Sequence, residues 1–115
     1  MAYDMFYRMD PETHAVTPCG VDEWQEAFMN PQRRIVAQAQ AGEAAVSTIF
    51  LGIDAFAGVR RGSPQVFETM VFGGELDGRQ VRTCTYDKAL RMHRATVDAC
   101  MQAHSAAQAL RPKRR

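Results

Sequence analysis

The chain has 115 residues, 46% hydrophobic and 23% charged, with a net charge of +1, which supports a packed core and excludes the apolar-poor, highly charged class of disordered chains. So balanced a charge supplies no global field that would select nucleic acid or an anionic membrane. No stretch approaches the ~20 apolar residues of a membrane span, and Met1 to Asp10 carries acids without an apolar leader core, so a cytoplasmic location is expected.

Tyr3 to Met9 alternates with the period of a strand. Asp10-Pro11-Glu12-Thr13 supplies turn chemistry, and Ala15-Val16-Thr17 returns antiparallel before Pro18, which predicts an N-terminal hairpin. From Val21 the spacing becomes helical, with Val21, Trp24, Ala27 and Phe28 on one stripe and Asp22 and Glu23 at the positive end of the dipole. Asn30-Pro31 is expected to stop this short helix. Trp24, on the apolar stripe, is expected to anchor it in the core.

Arg34 to Gln40, Ala44 to Ile53, Gln65 to Phe72 and Arg79 to Cys84 then read as four strands joined mostly by short links, which favours an antiparallel meander over βαβ crossovers. The strands at 44–53 and 65–72 carry apolar residues on both faces, so part of the second face is expected to be covered. Thr85 can cap a long final helix running to about Leu110, with Asp87 in its first turn. Leu90, Val97, Cys100, Met101 and His104 form its broad stripe. The predicted fold is therefore α+β: an antiparallel sheet of about four strands plus the N-terminal hairpin, packed against a long C-terminal helix and a short one. Residues 1–110 form the expected domain, and 111–115 a basic solvated tail.

Three groups of residues carry candidate chemistry. The first is the segment Asp54 to Pro64, which holds Asp54, Arg60, Arg61 and Ser63 with glycines at 58 and 62; long irregular segments in small domains are often functional. Two arginines suit an anion, but no Gly-Lys-Ser/Thr follows to make a P-loop. The second is Glu68, which interrupts an apolar strand and must be paired or hydrogen-bonded if buried, with Thr48, Thr69, Arg79 and Arg82 as partners in reach. The third is His93, Cys100 and His104 on one helical stripe; nothing completes a metal site, so they are expected to pack. Cys84, near a helix N-terminus, lacks a defined base and is a weak nucleophile. Cys19, Cys84 and Cys100 are odd in number, widely spaced and free of any Cys-x-x-Cys pair, so reduced thiols are expected.

The run Val46-Ser47-Thr48-Ile49-Phe50-Leu51-Gly52-Ile53-Asp54, followed by Phe67-Glu68-Thr69-Met70-Val71-Phe72-Gly73-Gly74 and Leu76-Asp77, resembles a family of short uncharacterised proteins of phage and bacterial genomes. The likeness extends to Asp22-Glu23-Trp24, Arg34-Ile35-Val36-Ala37 and His93. It departs after Asp54, where the family has a histidine and a Gly-rich stretch and this chain has Ala55-Phe56-Ala57-Gly58. The resemblance implies a phage-associated setting, in the cytoplasm of a bacterial host cell, and no known activity. The expected function is a non-catalytic accessory module that binds a host or phage protein or assembles with itself. The alternative is a binding protein or modest enzyme for a small anionic, nucleotide-like ligand held by Asp54, Arg60, Arg61, Ser63, Glu68 and Thr69. Neither reading implies a cofactor or metal, and nucleic acid and membrane are not expected partners.

Overall fold

Two periodicities, two-residue along most of the chain and 3.6-residue at its end, build the architecture of the computed structural model, which describes residues 5–54 and 62–111. The elements are β1 (Tyr7–Met9), β2 (Val16–Pro18), α1 (Val21–Phe28), α2 (Pro31–Arg34), β3 (Ile35–Ala41), β4 (Ala44–Phe50), β5 (Phe67–Phe72), β6 (Gln80–Thr83) and α3 (Tyr86–Leu110). β3-β4-β5-β6 form a four-stranded antiparallel sheet in chain order, and β1-β2 a two-stranded one. The fold is α+β as predicted, with strands somewhat shorter than the sequence suggests.

The hairpin turn is made by Asp10, whose Oδ1 accepts from Glu12 N (2.8 Å) and Thr13 N (2.9 Å). Those bonds favour the charged carboxylate, and they hold Asp10 below its ordinary pKa. β1 reaches the larger sheet through Tyr7 N to Gly52 O (2.8 Å), Asp54 N to Met5 O (2.9 Å) and the Phe6–Ile53 bridge. α1 is fixed at the same place. Trp24 packs on Phe6 and Phe28, and its Nε1 donates to Leu51 O at 2.8 Å. Gly52 explains the close approach: its φ is +68°, and a Cβ there would stand 2.8 Å from both Trp24 Cδ1 and Tyr7 O. Pro31 does more than end α1, because as the first residue of α2 it starts a further turn, its fixed φ suiting that position.

Register sorts the side chains of the four-stranded sheet into cross-strand rows. On the face toward α3 lie Ala41–Ala44, then Ala39–Val46–Val71, then Ala37–Thr48–Thr69–Val81, then Phe50–Phe67–Thr83. Ala41, Ala44, Val46, Val71 and Cys100 form one buried apolar cluster; Phe50, Val66, Phe67 and Ala89 form another. The threonine row lies between them. The opposite, outer face carries Gln40–Ala45–Phe72, Gln38–Ser47–Met70–Gln80 and Ile35–Ile49–Glu68–Arg82. A bulge at Val36 lets Ile35 join the outer face while Val36 packs on the Phe50 cluster.

Thr85 caps α3 as expected, its Oγ1 accepting from Lys88 N at 3.1 Å. The buried stripe of α3 is Ala89, His93, Thr96 and Cys100, rotated from the predicted one: Met101 is exposed and Leu90 only half-buried. The sequence pattern favoured the larger apolar residues, whereas the helix approaches the sheet so closely that small and polar residues line the contact. Among the described residues no helix is long and apolar enough to cross a membrane.

Candidate functional site

Alternation along β5 separates two adjacent candidates. Glu68 faces outward and Thr69 faces α3, so they cannot hold one ligand together, and the anion site proposed from the sequence loses that pairing. Asp54 and Ser63 stand on either side of residues 55–61, which lie outside the described residues. Arg60 and Arg61 lie outside the described residues, as do Gly58 and the last four residues of the basic tail.

Glu68 is 6% exposed despite its place on the outer face. Its Oε2 accepts from Arg82 Nε at 2.9 Å and from Gln80 Nε2. Arg82 Nη1 also donates to Ile53 O (3.3 Å) and Gln65 O (3.1 Å). One guanidinium therefore ties β5 to both flanks of the 54–64 segment, and the carboxylate orients that guanidinium. Thr48 and Thr69, two of the partners considered for Glu68, are on the wrong face.

Those threonines belong to a second linkage. Thr48 Oγ1 lies 2.7 Å from Thr69 Oγ1 and 2.8 Å from His93 Nδ1, and all three residues are buried. A hydroxyl donates once and accepts twice, so either neutral tautomer of His93 leaves an unbroken chain of hydrogen bonds that merely reverses direction. Burial holds the His93 pKa below its ordinary value, because the imidazolium would lose its hydration. Cys100 packs in the apolar cluster and His104 lies over Gly42, so the helical stripe of His93, Cys100 and His104 is spent on packing. The described residues contain no group of three His, Cys, Asp or Glu arranged to hold a metal.

A cleft of about 450 Å³ opens where the hairpin tip meets the start of α3, lined by Thr13, His14, Val16, Ser63, Pro64 and Cys84 to Asp87. His14, with φ +62°, stacks on Tyr86 at a centroid distance of 3.7 Å. Lys88 Nζ donates to Cys84 Sγ at 3.6 Å. Of the sequence candidates, Ser63 lines this cleft and Cys84 joins it. His14 and Tyr86 were not foreseen, because nothing local in the sequence signals a stack between residues so far apart.

The outer face is the other open surface. α3 covers the opposite side, and the described residues place no comparable layer here. Phe72 is 51% exposed and Ile35 42%. Beside Phe72, a shallow depression of about 450 Å³ is bounded by Gln38, Gln40, Ala45 and Ser47. Among the described residues of this face Glu68 is buried, and Arg82, Ile49 and Met70 are half-buried. Comparison with protein-family models, with curated proteins and with solved structures finds no match to this chain.

Two outcomes follow from these linkages. Glu68→Ala leaves Arg82 half-buried without its carboxylate and should cost on the order of 1–3 kcal/mol, read as a lower urea midpoint at unchanged m-value. A variant as stable as the parent would show that Glu68 is held for another purpose. For His93 the folded pKa is depressed, so as pH falls below about 6.5 the unfolded chain takes a proton that the folded chain refuses. Stability is then full above that pH and declines below it until folded His93 protonates. His93→Leu should flatten much of that decline in urea melts from pH 7 to pH 5, and an unchanged slope would assign it to other groups.

Proposed function

We propose that the protein is a small non-catalytic accessory module, of phage or prophage setting, that works by binding a protein partner or a second copy of itself. The observation that carries this reading is the outer face of the four-stranded sheet. An antiparallel sheet that is meant to meet only water on one face alternates polar side chains there. This face instead presents Phe72, Ile35, Ile49 and Met70 among neutral Gln38, Gln40 and Ser47, with its charges gathered at one end in the Glu68–Arg82 pair. A mixed, charge-poor surface with an exposed aromatic at its edge is the composition of a contact patch.

The residues that carry the family resemblance support the same reading, since their polar groups are engaged internally. Trp24 binds Leu51 O against Gly52, Thr48 and Thr69 bind His93, and Glu68 binds Arg82. Asp77 Oδ1 accepts from Gly73 N at 2.6 Å to close the β5–β6 turn. The signature therefore describes a packing arrangement, and the setting it implies is that of small accessory proteins.

A second reading, a site for a small anionic, nucleotide-like ligand, is favoured by the cleft at Ser63 and the start of α3, where an aromatic stack meets a helix N-terminus. Thermal-shift screening against nucleotides and phosphates separates the two, because a ligand at 100 times its Kd adds about 2.7 kcal/mol of apparent stability. Silence across the panel is the expected result.

The interaction reading is tested at Phe72. Phe72→Asp changes a half-exposed strand residue and should cost about 1–2 kcal/mol, leaving the fold intact by far-UV circular dichroism. It should weaken self-association and capture of a specific partner from the phage-carrying host at least tenfold. Association equal to wild type, or none in either protein, would remove the outer face from the function.

A further inference from the structure

The sheet has two edges, and they are built differently. β6 is four residues long, contains Arg82 and follows Arg79, so length and charge both discourage another strand from adding to it. β3 runs seven residues, Ile35–Ala41, with no charged side chain and no proline. Among the described residues, the one usual device against edge pairing that it carries is the bulge at Val36, at its beginning.

The register tells which backbone groups this edge presents. Ala41 and Ala44 flank a two-residue turn, Gly42-Glu43, and so must be a hydrogen-bonded pair; Gly42, at φ +63°, suits the first position of such a turn. Hydrogen-bonded and non-hydrogen-bonded pairs alternate in an antiparallel ladder. Ala39 and Ala37 therefore bond to Val46 and Thr48, and Gln38 and Gln40 turn their N–H and C=O away from β4.

We propose that two copies of the chain pair antiparallel through these β3 edges about a two-fold axis at Ala39, making one continuous eight-stranded sheet. This deepens the self-assembling reading above and rests on it. In that register Gln38 of each copy faces Gln40 of the other, and each of these two pairs exchanges two main-chain hydrogen bonds. Ala39 meets its own copy at the axis in a non-hydrogen-bonded pair. The side chains on the α3 side of the seam are Ala37, Ala39 and Ala41, small enough to admit the neighbouring strand.

The charges at the ends are complementary, with Arg33 the freer cation because Arg34 stacks on Phe28, and with Glu43 exposed and only loosely approached by Arg111 of its own chain at 3.9 Å. β3 is preceded by Arg33 and Arg34 and followed by Glu43 in the turn. Antiparallel pairing centred on Ala39 sets the Glu43 turn of each copy beside the arginine end of the other, twice by symmetry. A parallel or heterologous addition would lose one or both of those matches. The pairing also joins the two outer faces into a single surface, with the glutamines of both copies at its centre.

The full chain is tested by light scattering across micromolar concentrations, with a mass approaching twice 12.9 kDa at the upper end. Gln40→Pro removes an outward N–H that bonds nothing in β4, so it should give a monomer that keeps its far-UV circular dichroism. In a Cys19→Ser, Cys84→Ser background, Ala39→Cys should form an interchain disulfide under mild oxidation. Cross-strand non-hydrogen-bonded pairs bring Cα atoms to about 4.5 Å, within disulfide reach. Gln38→Cys, which faces a glutamine, should not crosslink. A wild-type chain that stays monomeric throughout would overturn the pairing. So would a dimer that survives Gln40→Pro while Ala39→Cys fails to crosslink. If that surviving dimer is instead lost in Phe72→Asp, the outer-face reading stands and only the edge assignment falls.

Discussion

The hydrogen-bonded line Thr69–Thr48–His93 sets how α3 lies on the sheet, and most other contacts follow from that placement. Two apolar clusters flank it, and apolar packing alone tolerates sliding or rotation of a helix along a surface of small residues. A buried hydroxyl or imidazole without a partner costs about 1–3 kcal/mol. Moving α3 by one turn would strand His93 and leave Thr48 and Thr69 only each other, so at about 1–3 kcal/mol it forfeits an appreciable part of the 5–15 kcal/mol that holds an ordinary domain folded. The polar line thus selects one arrangement among several that the hydrophobic effect would accept. Thr96 fits the same economy of contact: its hydroxyl bonds back to Met92 O within the helix, so only its small body meets the sheet.

With α3 fixed, the remaining elements attach in order. His104 comes over the β3–β4 turn, where only Gly42 leaves it room, and Ala89 and Tyr86 meet Phe67 at the other end. β1 and α1 join where β4 loses its regular pairing beyond Phe50. There Leu51 and Gly52 both donate to Val66 O, Leu51 O receives Trp24, and the left-handed backbone of Gly52 permits the indole to close in. Arg82 holds the next stretch by reaching carbonyls on either side of the 54–64 segment. The backbone at Ile53 and at Gln65 is thereby tied to β6.

Much of this was legible along the chain. Period-two alternation marked the strands, Thr85 marked the start of α3, Trp24 was legible as the anchor of α1 although it ends half-buried and outside both core clusters, and antiparallel pairing followed from the short links. What escaped was set by distance or by direction. Glu68 and Thr69 are adjacent in sequence, so a motif treats them as one unit, while the pleat sends them to opposite faces. Met101 and Leu90 outrank Ala89 and Thr96 on any hydrophobicity scale, yet closeness of approach decided which of them is buried. Pro31 ends one helix and begins another because the same fixed φ serves both purposes. The candidate cleft depended on His14 reaching Tyr86, a contact that no periodicity encodes.

That contact joins the tip of the N-terminal hairpin to the start of α3, and its energetics are finely divided. A non-glycine residue in the left-handed region costs of order 1–3 kcal/mol, and an aromatic pair returns about 0.5–1.5 kcal/mol. The two nearly cancel, so the hairpin tip is held against the helix by a small net balance while the Asp10 turn keeps its own shape. The stack is therefore the weaker fastening of the cleft wall at Thr13 to Ala15, whereas Val16 beside them is secured by its packing on the Phe50, Val66, Phe67 and Ala89 cluster.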